Sequence, residues 1–353
     1  IRLFFTLPSR HCCDTHQKLP AMTPITVQNV AIICPTKNQP DKVLRLLGSI
    51  AQLDEKPCQV IIADGGHNLK PILTAFTEQL NLICLYCPEA GQILQRNYAH
   101  KYLDKNIQLV LHLDDDITLH HDSLRKMIMF WNEELQKSAL PLAGASFNIK
   151  DAPVLRSSVF RNLFFLQTKP AGHVSIAGYA APFTPTETNM QTSWLLGGTT
   201  AWSRDIIEKH QHPINFRTRW AVCEDLIYSY PLSRKYRLMV VADAHAYHNE
   251  SYFKISFRQG VFYGLSSTIM RYFFVYQNPN LKTWAYIWMT IGIIIGNLGR
   301  SLFGSPRHLG LCFGGIEGLV RAITCSLING DSTDLAKALR NRWRFTRGQQ
   351  HST

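Results

Sequence analysis

The chain has 353 residues, 46% of them hydrophobic and 18% charged. That balance excludes a disordered chain and is enough to bury a large core. Thirty-seven Lys and Arg against 25 Asp and Glu leave a formal charge of +12, which suits a polyanionic partner without choosing among nucleic acid, anionic lipid and a phosphorylated substrate.

Residues 1–24 have no convincing signal-peptide pattern and are expected to form a poorly ordered extension, with Met22 near the natural start. Val30–Cys34 reads as a buried strand stopped by Pro35-Thr-Lys-Asn38, and Val43, Leu44, Leu47 and Ile50 then recur at helical spacing. Gln59–Ala63 is a second strand ending in Asp64-Gly-Gly66. A helix is expected from there to about Gln79, then a third strand over Leu82–Cys87 and a helix over Gly91–Leu103. Leu109–Leu113 is a fourth apolar strand. Strands alternating with helices of this length predict a parallel sheet with right-handed crossovers. The nine cysteines are odd in number and lie mostly in apolar runs, as small buried side chains of a reducing compartment do; Cys84-Leu-Tyr-Cys87 sits within a strand pattern and reads as core.

Asp114-Asp115-Asp116 follows the fourth strand directly. Ligands of open α/β sheets collect at the carboxyl ends of strands, and clustered carboxylates repel unless positive charge lies among them. A divalent cation bridging one carboxylate to a substrate phosphate would supply it; the alternative is a solvated acidic turn. Further on, Asp122–Gln136 reads as an amphipathic helix and Leu142–Phe147 as a strand. Residues 150–193 are irregular, and Trp194-Leu-Leu-Gly197-Gly198 forms a bend into another strand. Glu224-Asp225 opens a helical run that Pro231 is expected to interrupt, and Leu238–Val241 leads towards His245 and His248.

The ordered set Pro35-Thr36-Lys37-Asn38, Asp64-Gly-Gly, Gly91 with Arg96-Asn97, Asp114-Asp115-Asp116, Gly197-Gly198 and Glu224-Asp225 before a strand ending in His248 resembles the inverting family 2 glycosyltransferases of GT-A fold. The likeness runs over about residues 28–250. It implies an α/β domain of GT-A type, Rossmann-like with a mostly parallel central sheet flanked by helices, over residues 25–252. It implies a nucleotide-diphosphate sugar as donor and Mg²⁺ or Mn²⁺ as cofactor. Carried over, the resemblance places Pro35, Thr36, Asn38, Asp64, Arg96, Asp114 and Asp115 around the nucleotide sugar, and Asp116 with His248 on the metal. Trp194, Gly197, Gly198 and Glu224 would line the sugar and acceptor pocket. Asp225 would be the general base, kept ionised by the helix dipole. Only one acid follows the second strand, where the family usually has two. The Gln-x-x-Arg-Trp signature of processive synthases is absent, which favours single sugar addition.

Residues 253–353 form a distinct C-terminal region. Phe257–Phe274 is aromatic, Trp284–Leu298 is uncharged and apolar, and Leu309–Ile328 is apolar but for Glu317 and Arg321. Lys337, Arg340, Arg342, Arg344 and Arg347 then form a basic tail. Such a set suits helices lying in a membrane interface against anionic lipid; a helical face packing on the domain or forming a homodimer is the alternative. The expected function is therefore single-sugar transfer to a cell-surface glycan or lipid-linked acceptor at the cytoplasmic face of the inner membrane, with no nucleic-acid partner. A nucleotidyltransferase, or an inactive donor-binding protein at the membrane, is the competing reading.

Overall fold

The computed structural model describes residues 24–336 and 339, apart from 67–68, 138–139, 155, 169, 213–221, 250–254, 304 and 329. The expected N-terminal extension and the basic tail lie outside these residues. In chain order the elements are β1 (Val30–Thr36), α1 (Pro40–Ala51), β2 (Gln59–Asp64), α2 (Lys70–Leu73), β3 (Leu82–Tyr86), α3 (Gln92–Ala99), β4 (Leu109–Leu113), β5 (Ile117–Leu119), α4 (Ser123–Leu135) and β6 (Leu142–Ile149). There follow α5 (Val159–Leu163), β7 (Met190–Thr192), β8 (Thr199–Ser203), α6 (Arg204–Lys209), α7 (Glu224–Leu232), β9 (Arg237–His248), α8 (Phe257–Gln277), α9 (Thr283–Ser301) and α10 (Pro306–Leu327).

The sheet runs β3-β2-β1-β4-β8-β6-β9-β5, with β7 paired to β9. Its first half is parallel as expected, and every residue of β1, β2 and β4 is buried, as a strand covered on both faces requires. Antiparallel strands join this parallel framework in the second half. β8 is antiparallel to both β4 and β6, and β5 and β7 are antiparallel to β9. Alternation of strand and helix predicts parallel pairing only where each crossover carries a helix; the chain enters β8 from a long irregular segment. The helix expected up to Gln79 is also shorter, a four-residue α2 continued by a 3-10 turn over Thr74–Phe76. Pro231 does not interrupt α7 near its start, because it lies in the last turn of a helix ending at Leu232.

Two features of this topology position a site. Strand order reverses between β1 and β4, so their carboxyl ends open a crevice at the switch point. β9 is long and bulged: Phe147 of β6 faces Val241, but Asn148 faces His245. The bulge bends the strand, as such insertions do, and its far end pairs with β5, placing Ile117 opposite His248.

The C-terminal helices share a core with the second half of the domain. Phe164, Phe183, Trp194, Leu226 and Val240 pack in one cluster with Leu265, Phe274, Tyr286 and Met289. α8 and α10 touch through glycines. A Cβ on Gly314 would stand 1.9 Å from the Val261 carbonyl oxygen, and one on Gly264 would stand 2.6 Å from that of Leu311. Small residues four apart allow backbones to approach this closely.

Candidate active site

β1 and β4 lie side by side, so Thr36 ends next to the aspartates. The Thr36 hydroxyl donates to Asp115 Oδ2 at 2.6 Å, and burial pushes the Asp115 carboxyl up to about 6 against that bond. Pro35 is buried in β1 beside Ala63. Asp64, at the end of β2, is 1% exposed and accepts from the Gly66 N–H at 2.8 Å and the Leu69 N–H at 3.2 Å. Its carboxylate thus shapes the loop that follows. Asn38 adopts a left-handed backbone (φ 55°) and packs so close to Gly66 that a Cβ there would meet Asn38 Oδ1 at 2.1 Å. These five residues form one edge of the crevice, off the larger cleft beside it.

That cleft, about 840 Å³, is lined by Asp114, Gly197, Gly198, Glu224, Asp225 and His248, together with Trp194 and residues of α8–α10. Its framework is Arg96, fully buried on α3, which donates to Asp114 Oδ1 at 2.7 Å and to Glu224 Oε1 at 3.3 Å. Gln92, one turn earlier on α3, donates to the same Asp114 oxygen at 2.6 Å. Gly197 and Gly198 run between the acids. The Gly198 carbonyl accepts from the Asp114 N–H at 2.9 Å, and a Cβ on Gly198 would come within 2.1 Å of Asp114 Oδ2. A Cβ on Gly197 would stand 3.7 Å from the Asp225 Cβ. Asp114 and Asp225, 111 positions apart in the sequence, thus share one cleft.

Cys223 initiates α7 with a left-handed backbone (φ 62°), turning the chain so that the first helical residues face Arg96. Burial dominates the Asp225 carboxyl and pushes it up to about 6, although the Leu226 N–H, its own N–H, Arg96 and Arg271 all favour the charged form. The helix N-terminus therefore does not by itself keep this acid low; desolvation wins. Burial pushes Glu224 higher, to about 8, with the neighbouring Asp225 and Asp114 adding to the rise against the pull of Arg96; its Oε2 has no hydrogen-bond partner among the described residues. Trp194 is buried and stacks on Phe183 with centroids 4.7 Å apart.

Asp116 points to the other side of the strand end. Its Oδ2 lies 3.0 Å from Lys42 Nζ, and its Oδ1 lies 3.6 Å from His248 Nε2. The His248 N–H donates to Asp151 Oδ1 at 2.9 Å. Two ligands of a cation bound at about 2.1 Å stand roughly 3–4 Å apart, so this pair fits a hard divalent ion as two of its ligands. Among the described residues no group of three His, Cys, Asp or Glu is placed to hold a metal ion. The remaining positions would fall to water and to substrate oxygens, as is usual for Mg²⁺.

Several residues of this framework carry no motif. Lys42, Gln92, Asp151 and Arg271 escape sequence reading, although Gln92 and Arg96 at helical i, i+4 spacing are a visible pair of donors on the element before the aspartates.

Residues 31–174 match the model of Glycosyl transferase family 2. That stretch of the chain is similar to the family 2 glycosyltransferases. The matched segment contains the crevice and the three aspartates but stops short of Trp194, Gly197, Gly198, Glu224, Asp225 and His248. Among solved structures, S. aureus TarS 1-349 in complex with UDP-GlcNAc is 15% identical with a TM-score of 0.50, over 90% of this chain and 92% of that one. The mannosyltransferase PcManGT from Pyrobaculum calidifontis, in complex with GDP-Man and Mn2+, is 14% identical with a TM-score of 0.49, over 86% and 88%. No curated protein matches in sequence. The fold is thus the mixed α/β GT-A type with a helical C-terminal extension.

Proposed function

We propose that this protein is a family 2 glycosyltransferase that transfers a single hexosyl or deoxyhexosyl unit from a nucleotide-diphosphate sugar, with inversion, to a hydroxyl of a cell-surface glycan or lipid-linked acceptor. The observation that carries the reading is the shared cleft, in which Arg96 ties Asp114 to Glu224 beside Asp225. The nucleoside lies along the β1–β2 edge, near Pro35, Thr36, Asn38 and Asp64. The diphosphate reaches the β4 end, where Asp114 orients the donor sugar and Asp116 with His248 would hold Mg²⁺ or Mn²⁺. Such an ion would supply positive charge to the leaving diphosphate.

Asp225 takes the proton from the acceptor hydroxyl as its oxygen bonds to the anomeric carbon. The bond to the diphosphate breaks on the opposite face, and its electron pair leaves with the nucleoside diphosphate. Asp225 Oδ1 accepts from the Leu226 N–H at 2.8 Å, which fixes the orientation of the carboxylate. A carboxyl near 6 is ionised at neutral pH yet basic enough to share the proton in the transition state.

The same reading puts the enzyme on the cytoplasmic face of the inner membrane as a peripheral or monotopic protein. Supporting it, the C-terminal helices and α5 expose large apolar side chains, among them Trp284, Leu302, Phe303, Phe313 and Val159. α10 is 22 residues long with mean hydropathy 1.3, and its Glu317 is paired with Arg321 at 2.7 Å. Exposed apolar patches of this kind mark membrane or protein contacts.

Asp225→Asn tests the central assignment. Sugar transfer should fall by about 10²–10⁴-fold, the usual worth of a positioned base, while nucleotide affinity changes little. Transfer near the wild-type rate would remove Asp225 from the base role.

A further inference from the structure

The fold fixes a positive charge beside the carboxylate that faces His248. Lys42 lies in the first turn of α1, and α1 is docked along β5. The Leu119 N–H donates to Ser49 Oγ at 3.2 Å, and the Asp54 N–H donates to the His121 carbonyl at 2.9 Å. From Lys42 to Ser49 the helix advances about 10 Å, and from Asp116 to Leu119 the strand advances about the same. The two attachments therefore carry Lys42 to the level of Asp116. From the other side, the Asn249 N–H donates to the Asp116 carbonyl at 3.0 Å, next to the pairing of Ile117 with His248. Helix and backbone thus hold both partners of the 3.0 Å ion pair in place, and the Lys42 and Asp116 side chains are only 17% and 10% exposed. A pair shielded in this way keeps the electrostatic effect that solvent and salt would remove from an exposed one.

The Asp116 carboxylate is divided between two neighbours. Oδ2 faces Lys42 and Oδ1 faces His248, so a cation held between Asp116 and His248 meets one oxygen of this group. The ammonium repels any divalent ion on that oxygen. Phosphate oxygens, which bring negative charge of their own, offset the repulsion. We propose that Lys42 is a built-in counter-ion of the metal site, which confines Asp116 to one oxygen and keeps a free divalent cation from binding tightly. This deepens the glycosyltransferase reading and rests on it for placing Mg²⁺ or Mn²⁺ between Asp116 and His248. The ion then gains its affinity from the diphosphate that shares the site, and by linkage the diphosphate gains equally from the ion. Lys42 is a positioning residue in this arrangement, acting on the ion through Asp116.

The test titrates the full chain with Mn²⁺ alone, without nucleotide, and reads the unbound ion by electron paramagnetic resonance. Removing a unit positive charge a few Å from a divalent ion raises its affinity by roughly tenfold even at the dielectric constant of water. Lys42→Gln should therefore bind Mn²⁺ at least about tenfold tighter than the wild type. Lys42→Arg, which keeps the charge, should bind it like the wild type. The double variant Lys42→Gln, Asp116→Asn should lose the gain, which locates it at this carboxylate. A merely structural role for Lys42 would lower the affinity on substitution and would not raise it. Unchanged, weaker or unmeasurable Mn²⁺ binding by Lys42→Gln, a gain that survives in the double variant, or an equal gain in Lys42→Arg would each overturn the assignment. Melting curves check that the variants fold, and Lys42→Met, which keeps the aliphatic stem, should show the same gain and serves if the Gln variant does not fold. Sugar transfer plays no part in these measurements, so the Asp225→Asn assay decides the transfer reading separately.

Discussion

Gly198 offers a quantitative test of the site's geometry. A methyl group at this position would stand 2.1 Å from Asp114 Oδ2 and 2.2 Å from its Cγ, whereas ordinary contact begins at 3.4 Å. The carboxylate must therefore retreat by about 1.3 Å, the difference between these distances. It has no slack for this, because Oδ1 is held by both Gln92 and Arg96 and the Asp114 N–H is tied to the Gly198 carbonyl. A displacement of about 1 Å in a positioned group costs on the order of 10²-fold in rate, and loss of the charge-assisted bond to buried Arg96 costs about 1.5–3 kcal/mol. Gly198→Ala should thus lower kcat/KM for donor turnover about 10²-fold and reduce Tm by a few degrees. Gly197→Ala is the control: its methyl would meet Arg96 Nη1 at 3.2 Å and Glu224 Oε1 at 3.5 Å, contacts that small shifts of side-chain ends absorb. It should cost less than about threefold, since well-accommodated substitutions stay within about 0.5 kcal/mol. Steady-state release of nucleoside diphosphate, with melting followed in parallel, measures both variants. Equal effects at the two glycines, or a fully active Gly198→Ala, would refute the reasoning.

Other expectations follow from individual groups. Because burial raises Asp225 to about 6, and only its ionised form accepts a proton, kcat/KM should be level above that pH and fall tenfold per unit below it; a profile flat down to pH 5 would contradict this. Asp116→Ala should remove the Mg²⁺ or Mn²⁺ dependence of nucleotide binding, read by thermal shift with and without the ion, and an unchanged shift would take Asp116 out of the metal site. Gly314→Ala should separate α8 from α10, because the new Cβ would lie 1.9 Å from a backbone oxygen that cannot swing away. A Tm loss of several degrees is expected, as for other overpacked contacts of about 1–3 kcal/mol, and an unchanged melting curve would show that the helices adjust without cost.

Much of the first half of the fold was legible in the chain itself. The strands β1 to β4 are mostly apolar runs that stop at or just before a polar residue; in β1, β2 and β4 local pattern and burial agree, while β3 at the sheet edge is only half-buried. The three aspartates were visible for the same reason: charge cannot follow a buried strand except at its open end. The second half resisted. Its pairing is largely antiparallel across residues far apart, and its parallel β6–β9 ladder is broken by a bulge, neither of which leaves a local signature.

The site divides along the same line. The three aspartates stood out by their place after a buried strand, and the resemblance to family 2 glycosyltransferases added Glu224, Asp225 and His248. It did not reveal that Arg96 would join Asp114 to Glu224, that Lys42 would face Asp116, or that Arg271 would reach the cleft from α8. Nor did it show that Asp225 would be raised rather than held low. Desolvation and shared charge depend on what surrounds a carboxyl in space, and that is decided only when distant segments pack together.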